Sequence, residues 1–285
     1  MPFQAAALSP SHCEVYKETA ILRRMTPSLV PLPERLEMIP GTFRVPPRSR
    51  WTGNAQIRDA LAGWLPRVGR SPAVDARLQL REDSSRRDLG EEGYELAIRS
   101  GEATAVARTT AGLAFAAQTL RQLAAVNDCT IPCCHIIDRP RFSWRGVHLD
   151  SARHFFPVGT ILRLLDLSSL HKMNRFHWHL TDDQGWRLPV RSRPLLTKAG
   201  AREGHFYSHR DVQRVVARAH ELGMTVIPEI DLPGHMQAAI AAYPELGCAR
   251  GRVSVRRSWG ISRHVLNPEP GTLQFLEEVL DEVLW

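Results

Sequence analysis

Between Phe176 and Arg187 the chain reads Phe-His-Trp-His-Leu-Thr-Asp-Asp-Gln-Gly-Trp-Arg, which brings two imidazoles, two carboxylates and a guanidinium into one short run. Side chains of these types can move protons, hold a divalent metal or hydrogen-bond a hydroxylated ligand. Two further segments share the character: Trp144-Arg-Gly-Val-His-Leu-Asp150 and Pro228-Glu-Ile-Asp-Leu-Pro-Gly-His235 each close an apolar stretch with polar groups. Asp182 and Asp183 lie between Trp178 and Trp186, and aromatic faces beside carboxylates and an arginine suit a sugar, whose C–H faces and hydroxyls must both be satisfied. An aspartate pair can equally cap a turn. Asp231 and His235 are separated by Leu-Pro-Gly, a turn that can bring carboxylate to imidazole, raise its basicity and fix its tautomer; a histidine that only caps the turn is the alternative. His177 and His179 alternate onto one strand face, with Trp178 on the other. That H-x-H pattern also suggests a metal-dependent hydrolase, but the histidines precede the strand end and Arg145 and Arg153 would oppose a cation, so neither metal nor cofactor is expected.

The elements that must carry these groups fall into two patterns. Residues 1–29 show no clear amphipathic period and read as a leader or linker. From Val30 to Arg50, prolines punctuate short extended pieces, and Ala55 to Leu65 has helical apolar spacing. Ala76–Leu80, Tyr94–Ile98 and Ala103–Arg108 read as strands and Ala111–Ala124 as a helix, together a small α+β domain over residues 30–138. From 139 onward strand and helix alternate: strands Gly146–Asp150, Arg175–Asp182 and Thr225–Asp231, a helix after Pro157, one capped by Ser208 with Asp211 and stopped by Gly223, and a last one capped by Thr272. Three β/α units imply a parallel sheet, either open and doubly wound or part of a barrel. Each strand carries its polar groups at its C-terminal end, the face on which β/α barrels place active sites, and no G-x-G-x-x-G or P-loop follows any strand. The barrel is preferred over the open sheet, so the expected fold is α/β, a small α+β domain followed by part of a TIM (β/α)8 barrel.

A net charge of +7 comes almost wholly from arginine, with lysine only at Lys17, Lys172 and Lys198. The arginines are scattered among acids without a basic stripe, so no nucleic-acid partner is expected. No stretch approaches the roughly 18 apolar residues of a membrane span, and Met1 to Pro10 lacks the pattern of a secretory leader; the expectation is a chain that is neither membrane-bound nor exported. Cys129, Cys133, Cys134 and His135 look like half of a zinc site whose other half does not follow, and they read as buried or idle thiols.

Three long segments, Phe142-Ser-Trp-Arg-Gly-Val-His-Leu-Asp-Ser-Ala-Arg-His-Phe155, His177-Trp-His-Leu-Thr-Asp-Asp-Gln-Gly-Trp186 and Ile227-Pro-Glu-Ile-Asp-Leu-Pro-Gly-His235, resemble in sequence and order the β-N-acetylhexosaminidases of glycoside hydrolase family 20. Upstream, Gly93-Tyr-Glu-Leu and the run Gly112 to Leu123 resemble the small domain that precedes the family's barrel. The resemblance implies release of terminal N-acetylglucosamine or N-acetylgalactosamine from oligosaccharides or glycoconjugates with retained configuration, the substrate's own 2-acetamido oxygen acting as nucleophile. It implies that Arg145 clamps sugar hydroxyls, that Asp182 joins His235 in a polar network with Asp231 orienting His235, that Glu229 and His179 support them, that Trp186 contacts the sugar, and that Asp183 is structural. In the family a His-x-Gly-Gly-Asp-Glu segment follows, whose aspartate orients the acetamido group and whose glutamate is the general acid and base. The 285 residues contain no such segment. The resemblance thus implies the first three to four β/α units of an incomplete barrel, and the expectation is a truncated hexosaminidase, inactive alone and completed by a C-terminal segment, with a non-catalytic sugar-binding protein or a decayed gene product as the alternative.

Overall fold

The computed structural model describes residues 27–64, 76–126, 130–249 and 251–284. The proposed leader up to Thr26, Cys13, Cys129 and the end of the first helix at Leu65 lie outside the described residues. The chain forms two compact units, Met1–Arg141 and Phe142–Trp285.

Among the described residues, the first unit is a six-stranded mixed sheet with two α-helices. Its strands are β1 (Arg35–Arg44), β2 (Trp51–Gly53), β3 (Arg77–Glu82), β4 (Tyr94–Arg99), β5 (Glu102–Ala107) and β6 (Thr130–Asp138), and its helices are α1 (Ala55–Trp64) and α2 (Thr110–Val126). They are ordered β1-β6-β4-β5-β3-β2. The alternation in β3 and β4 turns Leu78, Leu80, Tyr94, Leu96 and Ile98 into the core, where Leu113, Ala116, Ala117, Leu120 and Leu123 of α2 meet them. Gly112 makes the close approach possible, because a Cβ there would stand 2.4 Å from the Gly93 carbonyl oxygen. Two elements differ from expectation. The proline-punctuated stretch contains the ten-residue strand β1, which accommodates Pro40 because it is an outer strand whose register shifts between Met38 and Thr42. The cysteine-bearing run Thr130–Asp138, not anticipated as a strand, is β6, paired on both sides. Cys133 and Cys134 are buried in the core, and burial pushes the Cys134 thiol up to about 12.

Among the described residues, the second unit is built on three parallel strands, β7 (Gly146–Asp150), β8 (Arg175–Asp182) and β10 (Thr225–Ile230), in the order β10-β8-β7. Helix α3 (Val158–Leu170) links the first two, and α5 (His209–Glu221) links β8 to β10. Gly185–Trp186 folds back on β8 as the short antiparallel strand β9, and α4 (Leu195–Lys198), α6 (Gln237–Ala242) and α7 (Pro270–Leu284) complete the unit. The start of α5 is a capping box: Ser208 Oγ accepts from the Asp211 N–H and the Asp211 carboxylate accepts from the Ser208 N–H. Helix α7 begins at Pro270, so Thr272 lies inside it rather than at its cap, with its hydroxyl on Asn267 Oδ1 at 2.6 Å. One face of the sheet, with Phe176, Trp178 and Leu180, is buried. The other carries His148 and Asp150 of β7, His177 and His179 of β8 and Glu229 of β10, and in-register pairing lays them side by side.

Candidate active site

The strand ends converge on Asp182. It closes β8 and is 1% exposed, yet it is surrounded by donors. Arg153, in the turn after β7, brings Nη2 to 2.6 Å from Asp182 Oδ2 while its Nη1 pairs with Asp150 at the end of β7. His235, in the loop after β10, places Nδ1 3.2 Å from Asp182 Oδ1. The His235 backbone is left-handed, at φ 57°, a conformation uncommon outside glycine. His179 approaches Oδ2 at 3.4 Å. Burial alone would raise the Asp182 carboxyl, but hydrogen bonds from His179 and the Asp183 N–H and the charges of Arg153 and His235 outweigh it and hold it below the usual carboxylate range. His179 is the converse. Its burial disfavours charge, but Asp182, Glu229 and Asp150 around it raise its affinity for a proton above the ordinary histidine value. Both ring nitrogens face acceptors: Nε2 lies 2.8 Å from the Thr181 carbonyl and Nδ1 3.3 Å from Glu229 Oε1.

Four anticipated contributors are placed otherwise. Arg145 precedes β7 and so stands at the opposite end of the strand from Asp150 and Asp182; its Nε donates to the Lys172 carbonyl at 2.8 Å and its Nη1 to that of Phe142 at 2.7 Å. The arginine brought to the carboxylates is Arg153. Trp186 is 1% exposed because β9 folds it inward: its Nε1 donates to the Leu188 carbonyl and its ring packs near Phe275 in the core beneath the strand ends. Its ring is part of the core. Trp178 is also buried, with Nε1 on Ser151 Oγ. Asp231 comes only to within 4.0 Å of His235 Nε2, beyond hydrogen-bond length, so the carboxylate that meets this imidazole is Asp182. Asp183 accepts from the Gln237 N–H at 3.1 Å at the head of α6. Burial and the neighbouring Asp182 raise its carboxyl above the usual range.

Two residues of the site were not anticipated. Arg187, 2% exposed, gives its guanidinium to backbone carbonyls: Nε to Ser151, Nη2 to Ala152 and Nη1 to His205. It thereby fixes the turn that carries Arg153. Its place in the run Phe176–Arg187 was the available signal. Trp259 stands 82% exposed with the Arg153 guanidinium 5.3 Å from its ring centroid. Its loop is tied down by the Arg256 N–H on the Asp183 carbonyl, Gln184 Nε2 on the Ser258 carbonyl and Ser262 Oγ on Gln237 Oε1. A lone Trp-Gly in an aperiodic loop carries no pattern to find it by. Arg153, Asp182, His235, Gly234, Trp259 and Ile261 are among the lining of a cleft of about 310 Å³, at the small end of ligand-binding cavities.

Parallel strands joined by helices, with carboxylate, guanidinium and imidazole gathered at their C-terminal ends, define a protein of the β/α-barrel class. Residues 142–285 match the glycosyl hydrolase family 20 catalytic domain and residues 26–139 match domain 2 of the same family, so the chain belongs to glycosyl hydrolase family 20. It is 35% identical to a beta-hexosaminidase of Vibrio furnissii, over 90% of this chain and 46% of the relative, and 37% identical to a beta-N-acetylhexosaminidase of Cellulomonas fimi, over 75% and 45%. Among solved structures, the GH20 beta-N-acetylhexosaminidase of Streptomyces coelicolor A3(2) superposes with a TM-score of 0.80 at 32% identity, covering 90% of this chain and 56% of that one. That of Streptomyces plicatus in complex with Thio-NAglucal gives 0.79 at 31%, with the same coverage. The chain thus spans about half the length of the relatives it matches.

Proposed function

We propose that these residues form the sugar-holding half of a β-N-acetylhexosaminidase, which releases terminal N-acetylglucosamine or N-acetylgalactosamine from oligosaccharides and glycoconjugates by substrate-assisted, retaining hydrolysis. The observation that carries the reading is the convergence of Arg153, Asp182 and His235 on one cleft at the strand ends. Arg153, its guanidinium fixed by Asp150 and Asp182, offers its remaining N–H groups to vicinal hydroxyls of the terminal sugar. Asp182 and His235 form a polarised pair beside the reacting centre, with His179 and Glu229 holding Asp182 from below and Asp231 flanking the imidazole loop. Trp259 supplies the apolar face that Trp186 does not.

In this mechanism the 2-acetamido oxygen attacks the anomeric carbon while a carboxylic acid protonates the departing oxygen, a proton transfer worth about 10²- to 10⁴-fold. The family's His-x-Gly-Gly-Asp-Glu segment, which brings that acid, is not among the 285 residues. The reading therefore assigns binding and orientation to these residues, and bond cleavage to their combination with such a segment. Calorimetric titration with N-acetylglucosamine tests it. Saturable heat that vanishes in Arg153→Ala and persists in Arg145→Ala is expected, with turnover of a chromogenic N-acetylglucosaminide only after the segment is supplied. Binding without turnover even then selects the non-catalytic sugar-binding protein, and the absence of saturable binding overturns both.

A further inference from the structure

Deeper along the strands than the cleft, the open face of the parallel sheet holds a second polar cluster: His148 of β7, His177 of β8 and Glu229 of β10. The proposed function gives His148 and His177 no task. We propose that these three side chains bind one divalent transition-metal ion of the zinc, cobalt or nickel type, clipping three adjacent strands together.

The register assembles the ligands. His148 and His177 are direct cross-strand partners, their ring centroids 4.6 Å apart and edge to face, and Glu229 pairs with His179 one step along the same face. Both histidines turn the same atom to the same oxygen: Nε2 of His177 lies 2.6 Å and Nε2 of His148 3.3 Å from Glu229 Oε2, and all three donor atoms fall within 4.8 Å of one another. Tetrahedral bonds of about 2.0–2.2 Å require donor separations of roughly 3.3 Å. The His148–Glu229 distance meets that already, and the His177–Glu229 pair meets it by a small side-chain rotation. Two imidazoles and a carboxylate are a donor set suited to borderline divalent ions rather than to calcium or magnesium. The carboxylate is also oriented from behind, because His179 Nδ1 stands 3.3 Å from the other oxygen, Oε1, the kind of outer partner that fixes a metal-bound ligand.

Charge on this face is compatible with a cation. Asp150 adds a carboxylate, Arg153 is committed to Asp150 and Asp182, and Arg175, on the same face of β8, turns its guanidinium to the Asn174 carbonyl and the Trp144 ring. Two neighbouring groupings, His179 with Asp182 and Asp231, and Asp182 with Asp183 and His235, are of ligand type as well. Both depend on Asp182, whose Oδ2 already faces the Arg153 guanidinium at 2.6 Å, and are the weaker candidates for that reason.

The test is calorimetric titration of the tag-free, chelator-stripped 285-residue chain with Zn²⁺, alongside Co²⁺ as an optical probe. Expected are one equivalent of saturable binding, a visible ligand-field band with Co²⁺ and a melting temperature that rises with added Zn²⁺. His148→Ala, His177→Ala and Glu229→Gln should each weaken binding by about tenfold or more, while Asp231→Asn and His235→Ala leave it unchanged. The two histidine side chains are 48% and 44% exposed, so their substitution leaves the core intact, which circular dichroism of each variant checks. Absence of saturable binding overturns the proposal, as does binding that survives His148→Ala and His177→Ala. Since sugar heat is read separately in Arg153→Ala, failure here leaves the proposed function standing.

Discussion

Arg153 Nη2 stands 2.6 Å from Asp182 Oδ2, a contact that locks the turn after β7 to the end of β8. Asp182 is 1% exposed, so removing the guanidinium leaves a buried carboxylate faced only by the imidazoles of His179 and His235. Arg153→Ala should cost about 3 kcal/mol, the lower part of the range for a broken buried pair because the guanidinium retains contact with water. Urea denaturation measures it. Arg153→Lys keeps the charge but cannot reach Asp150 and Asp182 together, and should fall between the two.

The two tryptophans that bracket the question of sugar contact should separate cleanly. Trp186→Ala empties a core position and should destabilise by about 3–5 kcal/mol. Trp259→Ala, on an exposed ring, should change stability by less than about 0.5 kcal/mol and lower N-acetylglucosamine affinity up to roughly tenfold through the lost aromatic face. Equal effects on stability in the two variants would contradict the placement of β9.

The carboxyls of the two adjacent acids are shifted in opposite directions. Asp182 is held below its ordinary value, so its contribution to stability is complete above the unfolded carboxylate value and is lost as the pH falls through the folded one. Asp183 is raised by burial and by Asp182, so its contribution is complete below the unfolded value and is lost as the pH climbs through the folded one. Carboxyl carbon chemical shifts followed by NMR would show Asp182 ionising first; the reverse order would refute the assignment.

Helix α5 depends on its reciprocal cap. Ser208→Ala removes the acceptor for the Asp211 N–H and should cost about 1 kcal/mol in a denaturation experiment, with Ser208→Asn restoring most of it.

Local grammar made much of this fold legible. The Ser208–Asp211 box, the strand-helix alternation after 139 and the β3–β4 alternation are signals completed within a few residues, and the structure follows them. Strand β6 was hidden because Pro132 and two cysteines displaced the aliphatic residues that mark a strand, and β1 because Pro40 sits where only the edge of a sheet tolerates it. The site shows the same division. Asp182 and His235 belong to motifs dense enough to single out, and the structure brings them within 3.2 Å. Arg145 and Arg153 flank one strand, and strand direction alone decides which reaches the carboxylates; a residue preceding β7 belongs at its other end. Trp186 needed the β9 reversal, and Trp259 the hydrogen bonds of its loop, neither of which has a periodic trace.

The pairing of β1 with β6 sets an order of events at birth. Arg35 partners Ile137, across roughly a hundred residues of intervening chain, and ribosomes add about 5–20 residues per second. The first strand therefore emerges from the ribosome about 5–20 s before the strand it pairs with. Through that interval Leu36, Met38 and Phe43 lack the strand they pair with, while β4, β5 and α2, once made, can associate with one another before β6 follows. The sheet gains its first strand only through its last, and a ribosome stalled before Thr130 holds a nascent chain with an orphaned leading strand.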